Sequence, residues 1–190
     1  MRNNGGMATT TETSPEAALL PLTPAQIEGP FFRIGAPRRE SLIEPGVTGE
    51  PMLLTGRVLT PEGKTIPEAL LQFWMSDDEG NYDGRGYRLQ GYTVTDAAGR
   101  YRMEMIVPAC YEPRQAQHIH VKVQGVGRPL TTQLYFSSDA NRVKDRHYLP
   151  ELDVQVSDAP TGGKQGTFDF VVGQYTEKDN VTRETLAATV

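Results

Sequence analysis

Two of the chain's three histidines, His118 and His120, flank Ile119 in a run, continuing Val121-Lys122-Val123-Gln124, that alternates polar with branched apolar side chains. In an extended strand residues i and i+2 point to one face, so the two imidazoles are placed to grip one metal ion. Two donors do not complete a transition-metal site, which commonly takes three or four from the protein. A cupin-like arrangement would put a carboxylate a few positions on, where this chain has Lys122 and Gln124. A three-histidine zinc site would have to recruit His147 from Arg142-Val143-Lys144-Asp145-Arg146-His147-Tyr148, a charged segment that reads as a surface loop. The remaining candidates are phenols. Of eight tyrosines, Tyr82 and Tyr111 stand out in turn segments bearing Gly or Pro: Tyr82 follows the apolar run ending near Trp74, and Tyr111 lies seven positions before His118. A tyrosine that merely caps a loop would look the same, so both readings stay open at this point.

The elements that must position these residues read as strands. Stretches 53–59, 69–75, 101–107, 118–124, 131–136 and 168–172 are apolar or alternate with period two. Pro61-Glu62-Gly63-Lys64 and Asp96-Ala97-Ala98-Gly99 supply turns between them. In 118–124, Ile119, Val121 and Val123 are assigned to the core, and His118, His120, Lys122 and Gln124 to a polar face. With no long amphipathic helix, the expected fold is all-β: an antiparallel β-sandwich with an irregular N-terminal arm and long connecting loops. Residues 1–22 read as a flexible lead in which Met7 could be an alternative start, 23–50 as an arm pinned by Ile27, Phe31 and Phe32, 51–176 as the sandwich domain and 177–190 as a tail.

Composition narrows the classes of function. A net charge of -5, with Arg38-Arg39 as the longest basic grouping, argues against a nucleic-acid partner. No apolar window approaches the roughly 18 residues of a membrane span, and no export signal is evident, so a cytoplasmic protein without a membrane partner is expected. The single cysteine, Cys110, excludes an intrachain disulfide and reads as a small buried filler beside Tyr111.

Taken together, Trp74 with Tyr82 eight positions on, Val107-Pro108-Ala109-Cys110-Tyr111, His118-Ile119-His120 and Leu130-Thr131-Thr132-Gln133-Leu134-Tyr135-Phe136 resemble the intradiol ring-cleavage dioxygenases over about residues 25–175. The resemblance implies a non-haem Fe(III) held by Tyr82, Tyr111, His118 and His120. It implies an enzyme that inserts both atoms of O2 into a catechol-type diol and opens the ring between the hydroxyls to a cis,cis-muconate-type product. It further implies that Tyr111 is displaced by substrate and accepts a proton as it leaves, and that Gln133 lies near substrate and iron.

An arginine three residues before the first histidine is part of the family pattern; here that position is Gln115, and Arg114 stands one residue earlier. A bulge after Pro113 would restore its aim. The interval from Tyr111 to His118 is shorter than in the larger family members, and the long N-terminal helical segment with which catechol 1,2-dioxygenases dimerise is not seen, so this looks like a compact member whose particular catechol is not carried over. Homo-oligomer formation is left open. The rival readings are a transthyretin-like non-catalytic binding module, suggested by the stretches around Gly56 and Asp96, and a zinc site built from His118, His120 and His147.

Overall fold

The computed structural model describes residues 18–125 and 127–173, so 1–17 of the expected lead, 174–176 of the expected sandwich domain and the whole expected tail, 177–190, lie outside the described residues. Among the described residues nine strands form one sheet, eight of them along a continuous path. They are β1 (Pro51–Leu59), β2 (Leu70–Trp74), β3 (Gln90–Val94), β4 (Arg100–Ile106), β5 (His118–Gln124), β6 (Leu130–Phe136), β7 (Asp153–Asp158), β8 (Lys164–Thr167) and β9 (Phe170–Val171). The hydrogen-bonded order is β3-β2-β5-β6-β7-β8-β1-β4, with β9 beside β1. Two short 3-10 turns, Ala140–Lys144 and Pro150–Leu152, are the helical elements among the described residues.

The all-β expectation holds, with a mixed pattern of strand directions. Pairs such as β1/β4 and β5/β6 are antiparallel, whereas β6/β7, β1/β8 and β1/β9 are parallel. Strand β7 joins the two halves: Asp153 and Val154 pair with β6, then Gln155 to Asp158 pair with β8, so one strand passes from one half of the path to the other. The halves share one core, in which Leu71, Phe73, Val121 and Leu134 meet Leu54, Val58, Met103 and Met105. Burying a side chain of this size stabilises by about 1.5–3 kcal/mol, and the stack of them holds the β2-β5-β6 platform rigid beneath the site.

Strands β7 and β8, Asp-Val-Gln-Val-Ser-Asp and Lys-Gln-Gly-Thr, were not expected from the sequence because polar residues dominate both. The face of β5 bearing His118 and His120 is covered rather than solvated: each histidine is 1% exposed. Its cover is the arm. Gln26 N–H donates to Thr131 O, Thr132 Oγ1 to Pro24 O, and Gln133 Nε2 to Ile27 O. Further along, Phe32 packs edge-on against Trp74, and Lys122 lies 3.9 Å over the Phe32 ring while pairing with Glu28.

Candidate metal centre

Register across three strands lays out the site. Trp74 on β2 stands opposite His120 on β5, His120 stands opposite Gln133 on β6, and His118 stands opposite Tyr135. Paired residues in a sheet share a face, so these side chains form one surface. The Trp74 ring stacks on His120 with centroids 5.1 Å apart and planes 12° off parallel, and the two imidazoles are 5.1 Å apart. His118 Nδ1 lies 2.8 Å from Ala116 O; a carbonyl only accepts, so Nδ1 carries the proton and Nε2 keeps its lone pair.

Both phenols reach the site from connections. Tyr82 follows a turn in which Asp77 Oδ1 accepts from the backbone N–H of Glu79 and Asn81. It precedes another in which Asp83 accepts from the N–H groups of Arg85, Gly86 and Arg88. Those bonds, Gly86's first, hold the Asp83 carboxyl down at about 2. Short acidic side chains that capture their own backbone build a defined loop without a strand, and Arg33 of the arm closes it by donating to the carbonyls of Gly84 and Arg85. Tyr111 sits in a tight reversal where its N–H donates to Arg114 O at 2.9 Å, across the cis Glu112–Pro113 peptide. Its ring lies 5.5 Å from that of Tyr82 and 5.7 Å from that of His118, and Tyr82 lies 6.4 Å from His120.

Phe31 of the arm stacks on Tyr82 at 4.0 Å and 8°, and meets Tyr111 edge-on at 6.2 Å. Gly29 passes close to His120: a Cβ there would stand 3.3 Å from Cε1, and its φ of +71° is one that L side chains rarely adopt. The arm thus covers the face of the sheet that carries the histidines.

Three buried heteroatoms of the candidate ligands have no hydrogen-bond partner: His118 Nε2, His120 Nδ1 and Tyr82 Oη. An unpaired buried polar atom costs about 1–3 kcal/mol. Three in one cluster, all with lone pairs, are a donor set that a cation would satisfy. The protonation states point the same way. Burial pushes His118 down to about 4 and His120 well below its ordinary range, so both imidazoles are neutral near pH 7. Burial raises Tyr82 strongly and Tyr111 less, with the Arg114 charge opposing the rise at Tyr111. The phenols therefore need a strongly charged ion to become phenolates, and the oxygens of two phenolates with the nitrogens of two imidazoles suit Fe(III), a hard cation.

Arg114 is 7% exposed and turned inward, and Gln115 is exposed to solvent, so the tight reversal at Tyr111 gives Arg114 the inward aim that sequence spacing alone assigns to its neighbour. Its Nε donates to Asp145 Oδ2 at 2.6 Å, and its Nη2 donates to Gln133 Oε1 at 2.7 Å and Tyr135 Oη at 3.2 Å. A cavity of about 300 Å3 beside it is lined by Cys110, Tyr111, Glu112, Arg114, Gln115 and Asn141. Cys110 lies exposed at that opening and is not the buried filler expected, because β4 ends at Ile106 and the residue stands in the connection beyond it. His147 is likewise not on a surface loop: it is 4% exposed, and its backbone N–H donates to Asp145 Oδ1. Even so, among the described residues no three His, Cys, Asp or Glu side chains come together to hold a metal, which leaves the three-histidine zinc reading without a cage. Among the same residues no helix is long and apolar enough to cross a membrane.

Sequence reasoning missed Phe31 as the cover of Tyr82, and it missed Asp145 and Tyr135 as partners of Arg114. In sequence Phe31 reads only as a hydrophobic pin, and a lone aspartate in a charged run gives no signal of burial.

Comparison with known proteins agrees with this geometry. The family model described as Dioxygenase matches residues 27–174. Hydroxyquinol 1,2-dioxygenase of Nocardioides simplex is 28% identical over 171 residues, covering 74% of this chain and 58% of that enzyme. Chlorocatechol 1,2-dioxygenase of Pseudomonas putida is 30% identical, covering 85% of this chain and 72% of that enzyme. The chain spans little more than half the length of the first relatives it matches. Among solved structures, the dioxygenase domain of a dioxygenase carbohydrate-binding protein fusion from Streptomyces sp. SirexAA-E superposes with a TM-score of 0.76 and 39% identity, over 82% of this chain and 100% of that domain. With the matched segment taking in most of the arm, the sheet and every residue of the cluster, the chain belongs to the intradiol ring-cleavage dioxygenase family.

Proposed function

We propose that the protein is a non-haem Fe(III) dioxygenase that cleaves a catechol-type diol between its two hydroxyls, with Tyr82, Tyr111, His118 and His120 as iron ligands. The observation that carries this reading is the convergence of those four side chains with three partnerless buried heteroatoms among them. A ferric ion held there would act as a Lewis acid that draws electron density from a bound catecholate and makes its ring reactive toward O2.

The residues divide the remaining work. His118 and His120 stay neutral and fixed. Tyr82, clamped under Phe31, remains a permanent ligand. Tyr111 is half-buried, less strongly raised and next to the open cavity, which suits it to leave when the diol arrives and to take one substrate proton at Oη. Arg114 lines that cavity, where its charge would favour the anionic ring. Gln133 and Tyr135 fix Arg114 from the floor of the site. Both oxygen atoms of O2 end in the product, a catechol plus O2 giving a diacid with the same carbon skeleton opened. The domain that performs this is residues 51–176 together with the covering arm 23–50.

Iron-loaded protein is to be given a panel of catechols while O2 uptake and product are followed. One O2 consumed per catechol, with a cis,cis-muconate-type product, supports the proposal; extradiol products or no uptake with any diol count against it.

A further inference from the structure

Arg114 is a buried cation placed beside two imidazoles and, on the site assignment proposed above, beside a ferric ion. Left alone it would repel both the metal and any proton on the histidines, and it lowers the pKa of each. Its counter-charge comes from the segment after β6 that the sequence presents as a charged loop. Asp145 has a side chain 1% exposed, with Oδ2 accepting from Arg114 Nε at 2.6 Å and Oδ1 accepting from the His147 N–H at 2.9 Å. Every carboxylate oxygen is therefore satisfied, which is the condition under which a buried ion pair is tolerable.

The segment carrying Asp145 is not free to drift. Asp139 Oδ2 accepts from the Gln117 N–H at the start of β5, and Asp139 Oδ1 caps Asn141. Arg142 Nε and Tyr148 Oη both donate to Asp153 at the head of β7, and the Tyr148 ring meets Tyr135 edge-on at 5.4 Å. These ties reach β5, β6 and β7, so the position of Asp145 is set by the same sheet that sets His118 and His120. Asp145, Gln133 and Tyr135 together occupy Nε and Nη2 of the guanidinium, while Nη1 has no partner among the described residues and the side chain lines the open cavity.

We propose that Asp145 is a positioning residue of the site: it locks the Arg114 guanidinium in one orientation, cancels its charge on the metal side, and leaves Nη1 as the donor that meets the substrate. This rests on the site assignment proposed above. It predicts that Asp145 acts wholly through Arg114.

The test is a double-mutant cycle on the full chain with Asp145→Asn, Arg114→Gln and the double variant. Iron content and resting colour should match the parent in all three, since no ligand is touched. Arg114→Gln should lower turnover about 10²–10³-fold, the range for loss of one charge-stabilising donor. Asp145→Asn should lower it about 10–100-fold, the range for outer-shell partners in metal sites, and should change the visible spectrum of the catechol complex but not that of the resting protein. The double variant, which removes both charges and so leaves no uncompensated ion, should be no slower than Arg114→Gln alone. Its midpoint of unfolding without metal should exceed that of Asp145→Asn.

Multiplying losses in the double variant, or a catechol-complex spectrum unchanged by Asp145→Asn, would overturn the proposal. Should Asp145→Asn fail to fold, a double variant slower than Arg114→Gln has the same force. A colourless parent protein would instead bring down the site assignment, which keeps the two failures distinct.

Discussion

The two pairs of candidate ligands are built by opposite means. His118 and His120 sit in the middle of a sheet, each 1% exposed, with strands on both sides and Trp74, Gln133 and Tyr135 in register beside them. Tyr82 and Tyr111 stand on connections that aspartate-capped turns and one backbone reversal hold in shape. The strand pair arrives neutral, with lone pairs waiting. The loop pair arrives protonated and must be ionised by whatever binds. A second contrast lies within the loop pair, since Tyr82 is stacked under Phe31 whereas Tyr111 borders the cavity beside Arg114. The difference teaches that rigidity and ease of release can be assigned to separate ligands of one ion by choosing strand or loop for each.

The largest effect should come from the rigid half. His120→Ala is expected to abolish iron uptake, visible colour and turnover together, measured by metal analysis, absorption and O2 consumption. Tyr111→Phe is expected to keep iron, to shift the absorption band and to slow turnover about 10²–10⁴-fold, the range for losing a general base. If Tyr111→Phe lost iron as completely as His120→Ala, the division into fixed and releasable ligands would be wrong.

Acid should expose the strand half in metal-free protein. His118 holds its proton only below about 4 when folded, against about 6.5 for an ordinary histidine, so the unfolded chain binds more protons between those values. The stabilisation is therefore complete above pH 6.5 and drains away as pH falls toward 4, by about 3 kcal/mol for this group. Denaturant midpoints that stay flat across that window would contradict the neutral, buried imidazole. The smallest effect concerns the cover: Gly29→Ala forces a positive φ on an L residue beside His120 and should cost about 1–2 kcal/mol, seen as a lower melting temperature.

Much of the platform was legible because apolar alternation writes itself into sequence. Period two in 118–124 located β5, and apolar stretches located most of β1, β2, β4 and β6. Strands β7 and β8 were not legible, since their polar residues lie along a bridging edge that leaves no hydrophobic record. Two of the three parallel pairings, β6/β7 and β1/β8, fall on those unread strands. The four candidate ligands could be picked out by type and spacing, but the partners of Arg114 could not. Asp145 is 31 positions away, and a carboxylate buried against a guanidinium looks in sequence like any solvated acid. Cys110 and His147 misled for the same reason in opposite directions, an apolar run taken for burial and a charged run taken for exposure.

The most direct test of the central claim is the visible absorption and metal content of purified protein reconstituted with ferric iron. Phenolate oxygens on Fe(III) give a charge-transfer band in the visible, so the account predicts a red to burgundy protein with one iron per chain that bleaches in Tyr82→Phe and changes hue when catechol is added without O2. A colourless protein that retains zinc in stoichiometric amount and ignores catechol would contradict it.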